Sequence, residues 1–138
     1  MTVCVALVLL ASCATAPASD DVVAQFTAAF NRLSIDELRP LFAEDATAFL
    51  PMPQFGARID GREKILAALA PLFEAERARA GSMNLMAKGL SIQRAGNVAV
   101  ATFDVGTEAV FSRRTLVLEL RGGAWKIVHL HASNVRPN

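Results

Sequence analysis

The sequence predicts an α+β fold in which N-terminal helices pack inside a strongly curved antiparallel sheet. Three observations carry that expectation. Apolar residues in the first half recur every three to four positions. After Gly81 the period changes to two. The turn signals Ala95-Gly96-Asn97 and Gly122-Gly123 then divide the second half into consecutive hairpin strands. Helices followed by a long meander place the helices on one face of one sheet, and a sheet that bends around them encloses a cone-shaped hollow.

Asp20-Asp21, followed by Val22, Val23, Phe26, Ala29, Phe30 and Leu33, reads as an amphipathic helix with its acids in the first turn, where the helix dipole favours them. Ser34-Ile-Asp-Glu37 fits a capping box, Ser34 at the N-cap and Glu37 reaching back. A short helix through Leu38, Leu41 and Phe42 follows, with Pro40 near its first turn. Thr47-Ala-Phe-Leu50 reads as a strand, ended by Pro51-Met-Pro53, and Gln54 to Asp60 as a loop or short strand. Gly61 precedes a helix whose apolar stripe is Ile65, Leu66, Leu69, Leu72 and Phe73, kinked at Pro71. Strands are expected at about Met83–Arg94, Val98–Thr107, Arg113–Arg121 and Trp125–Val135.

The N-terminus reads as an address. Val3 to Ala11 is an apolar run too short to span a bilayer and of signal-peptide length. It ends in Leu10-Ala-Ser-Cys13, which resembles the bacterial lipobox: an aliphatic residue, two small residues, and the cysteine that becomes the lipidated N-terminus. The resemblance implies a signal peptide over 1–12, an anchor and tether over 13–19 and a folded domain over 20–138. It also implies attachment to the membrane through Cys13, and Ala14 in place of Asp points to the periplasmic side of the outer membrane. Met1-Thr-Val3 lacks the Lys or Arg of a basic n-region, which leaves room for residues upstream. The alternative is that these residues form a buried N-terminal element.

Composition excludes several classes. A net charge of +1 gives no electrostatic case for nucleic acid. With Cys4 removed and Cys13 lipidated, no cysteine pair remains for a disulfide. There is no Tyr, so a Tyr-based oxyanion hole of the ketosteroid isomerase type is excluded.

In the last strand, strict alternation puts Trp125, Ile127, His129, His131 and Ser133 on one face and Val128, Leu130 and Ala132 on the other. The Trp/Ile face is the expected interior. The second row then needs cover, from helices or from a second subunit. Thr102 and Asp104 share a face of their strand, and Ser112 and Arg114 point inward with Leu116 and Leu118. The expected result is a group of Asp104, Arg114, His129 and His131 on three neighbouring strands. Two histidines and one carboxylate fall short of the four ligands that structural zinc favours, so no metal and no cofactor are expected.

Phe30-Asn-Arg-Leu, Leu41-Phe-Ala-Glu-Asp45, Thr47-Ala-Phe-Leu-Pro51, Asp60-Gly61, Arg114-Thr-Leu-Val-Leu118 and Trp125-Lys-Ile-Val-His-Leu-His-Ala-Ser133 resemble, in order and spacing, the nuclear transport factor 2-like superfamily and its SnoaL-like branch. The ending is also similar to the association domain of calcium/calmodulin-dependent protein kinase II. The resemblance covers residues 20–136. It implies a cone-like fold, a central pocket and frequent homodimers through the sheet, without a single activity.

Three readings stay open. In the first, the pocket binds a small apolar or weakly acidic ligand through Thr102, Asp104, Arg114, Trp125, His129, His131 and Ser133. In the second, the domain is an isomerase, cyclase or hydrolase with Asp104, His129 and His131 as catalytic groups and Arg114 stabilising an anion. In the third, it is an oligomerisation module whose polar groups only hold the sheet, with Arg114 and Asp104 as a buried ion pair.

Overall fold

The computed structural model describes residues 18–106 and 111–135. The lipobox-like segment with Cys13, and Thr107 at the end of one expected strand, lie outside the described residues. Helix α1, Ser19–Asn31, begins with Asp20 and Asp21 in its first turn and buries Val22, Val23, Phe26, Ala29 and Phe30. Those residues fall on one stripe at helical spacing, which fixes the face turned to the core. The rings of Phe26 and Phe30 lie 4.8 Å apart, and Phe30 meets Phe73 edge-on at 5.1 Å.

Half of the capping box forms. Ser34 Oγ accepts from the Glu37 backbone N–H at 3.2 Å at the start of α2, Ile35–Leu38. The Glu37 carboxylate does not reach back, because Arg32 Nε donates to both of its oxygens at 2.8 and 3.0 Å. A 3-10 turn, Arg39–Leu41, carries Pro40, and Phe42 opens strand β1, Phe42–Phe49, earlier than expected. After β2, Ile59–Asp60, helix α3 runs Arg62–Ala80 and stays one helix across Pro71. Pro71 and Ala67, whose carbonyl loses its usual donor, are both exposed, so water can take that bond.

Strand β3 is Lys88–Ala95, shorter than expected at its start. The chain just before it is stitched to α1 instead: Asn31 Nδ2 donates to the Leu85 carbonyl at 3.0 Å and Asn31 Oδ1 accepts from the Leu85 N–H at 2.7 Å. Strands β4, Val98–Gly106, β5, Phe111–Arg121, and β6, Ala124–Val135, complete the meander. Gly122 and Gly123 take φ of 58° and 79°, the two positive values that a type I′ hairpin turn requires.

The sheet order is β2-β1-β6-β5-β4-β3. All pairs are antiparallel except β1 and β6, which run parallel. The inner face carries Ala46 and Ala48 of β1, Ala99, Ala101, Phe103 and Val105 of β4, and Leu116 and Leu118 of β5, all buried against the helices. The fold is the expected α+β class, with helices held in a curved, unclosed sheet.

One irregularity decides the chemistry of each face. Val117 pairs with His129 while Leu118 pairs with Ile127, so Val128 is an extra residue and a β-bulge. Before the bulge Ile127 points inward, fully buried. After it Leu130 and Ala132 point inward, and His129, His131 and Ser133 turn to the outer face. The apolar row expected to need outside cover is therefore part of the core.

Candidate functional site

The expected convergence of Asp104, Arg114, His129 and His131 does not form. Thr102 and Asp104 share a face, as read from the sequence, but it is the outer one, where both are exposed. The physical reason is the clean alternation of Ala99, Ala101, Phe103 and Val105, which claims the inner face of β4 for the core. His129 and His131 are carried outward by the bulge. Trp125, on the inner side before the bulge, packs against the core opposite Leu120, at the far end of β6 from Ala132 and Asn134. Arg114 alone of the four points inward, and no buried Arg114–Asp104 pair exists.

The outer histidines have their own surroundings. Thr47 Oγ1 lies 2.7 Å from His129 Nδ1, and the Phe49 ring sits 5.8 Å from each imidazole. His131 and Ser133 line a shallow groove with Phe49, Pro51 and Phe55. Burial, then the neighbouring His131 and Arg58, lowers the pKa of His129 below its ordinary 6.5. Its neutral form is therefore favoured in the fold. Above about pH 6.5 both folded and unfolded chains are neutral there, and stability is unaffected. As pH falls through that value the unfolded chain takes the proton first, so stability declines until the folded pKa is passed. Melting temperatures from pH 8 to 5 should show this fall, and His129→Gln should flatten it. Equal profiles for the two proteins would exclude His129 as the cause. Among the described residues no group of three or more His, Cys, Asp or Glu is placed to hold a metal ion.

The inner face holds the better candidate. A cavity of about 220 Å³ lies between α1, α3 and the ends of β5 and β6, walled by Phe30, Leu50, Met52, Leu69, Leu72 and Leu130. Ala132, Asn134 and Pro51 border it, and Arg114 is the one charged side chain among its described lining residues. Ser112, two residues before Arg114 and on the same face, is buried. Its hydroxyl donates to the Ser133 carbonyl at 2.9 Å and accepts from Arg114 Nη1. Nη1 also donates to the Arg113 carbonyl at 3.1 Å. No carboxylate among the described residues pairs with Arg114, and burial alone pushes its guanidinium down to about 10. It stays charged at neutral pH, in a largely apolar setting, with no carboxylate of the described residues beside it.

Sequence reading found Ser112 and Arg114 because Leu116 and Leu118 fix the inner parity of β5. It missed the walls from Leu50, Met52, Leu130 and Ala132. A signal was present: the apolar positions of the last strand run 125, 127, then 130, 132, a phase change of one residue.

Helices cupped by a bent six-stranded sheet, with a small pocket at one end, define a nuclear transport factor 2-like cone. The family model described as SnoaL-like domain matches residues 20–137, and the chain belongs to that family. Among solved structures it is similar to a candidate calcium/calmodulin-dependent protein kinase type II association domain from Thiobacillus denitrificans, with TM-score 0.72, 23% identity, and 87% of this chain and 97% of that chain covered. It is similar as well to a candidate dehydratase of the NTF2-like family from Streptomyces avermitilis, with TM-score 0.70, 17% identity, and 86% and 94% covered. A candidate ketosteroid isomerase from Parabacteroides distasonis gives TM-score 0.63 and 21% identity over 84% and 91%. At these identities the likeness shows the fold. No curated protein matches the chain.

Proposed function

We propose that this SnoaL-like domain binds a small, mostly apolar, weakly acidic molecule in the inner pocket and holds it without covalent chemistry. The observation that carries the reading is Arg114: a half-buried guanidinium without a counter-ion among the described residues, in a cavity whose other described walls are largely apolar. Specific ligand sites combine such walls with a few placed polar groups. The described lining contains no Asp, Glu or His that could serve as a general base, which weighs against the enzyme reading built on Asp104, His129 and His131.

The same proposal places the domain in the cell envelope, anchored by lipid on Cys13. The Leu10-Ala-Ser-Cys13 sequence supports the anchor. Among the described residues no helix is long and apolar enough to cross a membrane. The proposal also includes a homodimer through the outer sheet face, where Phe49 and Val98 are among the exposed large apolar side chains.

One experiment addresses all three parts: native mass spectrometry of the chain extracted gently from the membranes of its host. The expected spectrum shows a dimer, each subunit starting at Cys13 with a diacylglyceryl mass, and a small molecule released on denaturation. A monomer would remove the dimer, an unmodified Met1 terminus would remove the anchor, and an empty protein would count against the pocket.

A further inference from the structure

The pocket's single charge and its size restrict what it can hold. Arg114 Nη1 is occupied by Ser112 Oγ and the Arg113 carbonyl, whereas Nε and Nη2 make no hydrogen bond to the described protein. Those two N–H groups are parallel and form the side-on edge of the guanidinium fork, the edge that pairs with both oxygens of a carboxylate. No buried side-chain nitrogen or oxygen among the described residues lacks a partner. Toward the described residues the remaining edge of Arg114 faces open space, and the space that Arg114 lines is the cavity. The Ser133 carbonyl orients Ser112, and Ser112 in turn fixes the guanidinium, so the fork is held before any ligand arrives.

The rest of the cavity sets the partner's shape and charge. Among the described lining residues one cation faces the space, with Asn134 as the other polar side chain and aliphatic or aromatic carbon around them. A dianion such as a phosphate monoester would carry a second charge into this largely apolar site with no second cation among the described lining residues, and an unpaired buried charge is strongly disfavoured. A monoanion balances the site. The volume of about 220 Å³ corresponds to roughly seven waters, which bounds the ligand to a short tail.

Resting on the reading that this pocket binds a small molecule, we infer that its ligands are short monocarboxylates. The carboxylate lies side-on against Nε and Nη2 of Arg114, and an aliphatic or aryl tail of roughly five to eight carbons fills the space between Phe30, Leu50, Leu69 and Leu130.

Calorimetric titration of the full chain with hexanoate, 1-hexanol and hexyl phosphate at pH 7.5 separates the parts of this assignment. Hexanoate is expected to bind at least tenfold more tightly than either of the others. Arg114→Met removes that preference, bringing hexanoate to the level of hexanol. Arg114→Lys, which keeps the charge but loses the fork, falls between, and it provides the comparison if the methionine variant does not fold. Hexanol binding as tightly as hexanoate overturns the carboxylate assignment and leaves the pocket reading standing. Hexyl phosphate binding most tightly overturns the monoanion. Wild-type preference persisting in both variants moves the anion away from Arg114. If none of the three probes binds, the pocket reading fails together with the inference.

Discussion

Replacing Leu130 with alanine is expected to lower the unfolding free energy by about 2–5 kcal/mol, while the same truncation at its neighbour His131 changes it by no more than about 0.5 kcal/mol. Strict alternation along the last strand gives the reverse, since it places His131 with Ile127 inside and Leu130 outside. The bulge at Val128 separates the two expectations. Leu130 is 1% exposed and lies beside Leu116 on β5 and Ala48 on β1, both fully buried. Removing three carbons there leaves a void that a sheet fixed by ladders on both sides closes poorly. His131 is exposed, and it meets only the tilted ring of Phe49 and the shallow groove among the described residues. Urea titration of the two variants measures both numbers. Against a total of about 5–15 kcal/mol for a domain, the Leu130 loss is large. Comparable losses at both positions would mean that the strand lacks the bulge.

How much of this was legible in the sequence depends on the range over which each signal acts. The first helix was read from Val22 to Leu33 because its stripe, its acidic first turn and its end are all local. The hairpins were read because Gly122-Gly123 fixes a turn type, and a turn type fixes a register. The bulge is not local in that sense. It is settled by which residues of β5 and β1 claim the inner face, and period-two reasoning carried forward from Trp125 cannot register one extra residue. The apolar phase change at Val128 was the only trace. Asp104 shows a different failure. The alternation of Ala99 to Val105 put Asp104 outside, and its grouping with the histidines gave chemistry precedence over the pattern. Arg114 was placed correctly, but the expected partner was wrong: with Asp104 outside, the guanidinium stands without a carboxylate among the described residues. The family motifs carried the cone and the pocket. They could not carry the contents of the pocket, which depend on a few side chains at the strand ends.

Arg114→Met is expected to raise the stability of the ligand-free protein by about 1–3 kcal/mol, an unusual direction for a substitution at a half-buried position on the inner face of the sheet. Met keeps most of the length and volume of the Arg stem and removes a charge that burial penalises. The size of that penalty follows from the proton equilibrium. Burial moves the guanidinium well below its ordinary value, to about 10, so the unfolded chain holds this proton more tightly than the folded one, by on the order of 3 kcal/mol. Because the depressed value belongs to a cation, the penalty is fully present below about pH 10 and is relieved only as pH rises from there toward the ordinary arginine value. The gain in the variant should therefore be constant from pH 6 to 9, unlike the contribution of His129, which changes near pH 6.5. Part of the gain is offset by the bonds to Ser112 and the Arg113 carbonyl that Met cannot make, each worth about 1 kcal/mol. A carboxylate ligand should act oppositely on the two proteins, raising the melting temperature of the wild type by supplying the missing counter-charge and leaving that of the variant nearly unmoved. Loss of stability in the ligand-free variant would instead make Arg114 a clamp between neighbouring strand ends through Ser112. A group that weakens the empty fold and strengthens the occupied one is better explained by what the pocket holds than by what the sheet needs.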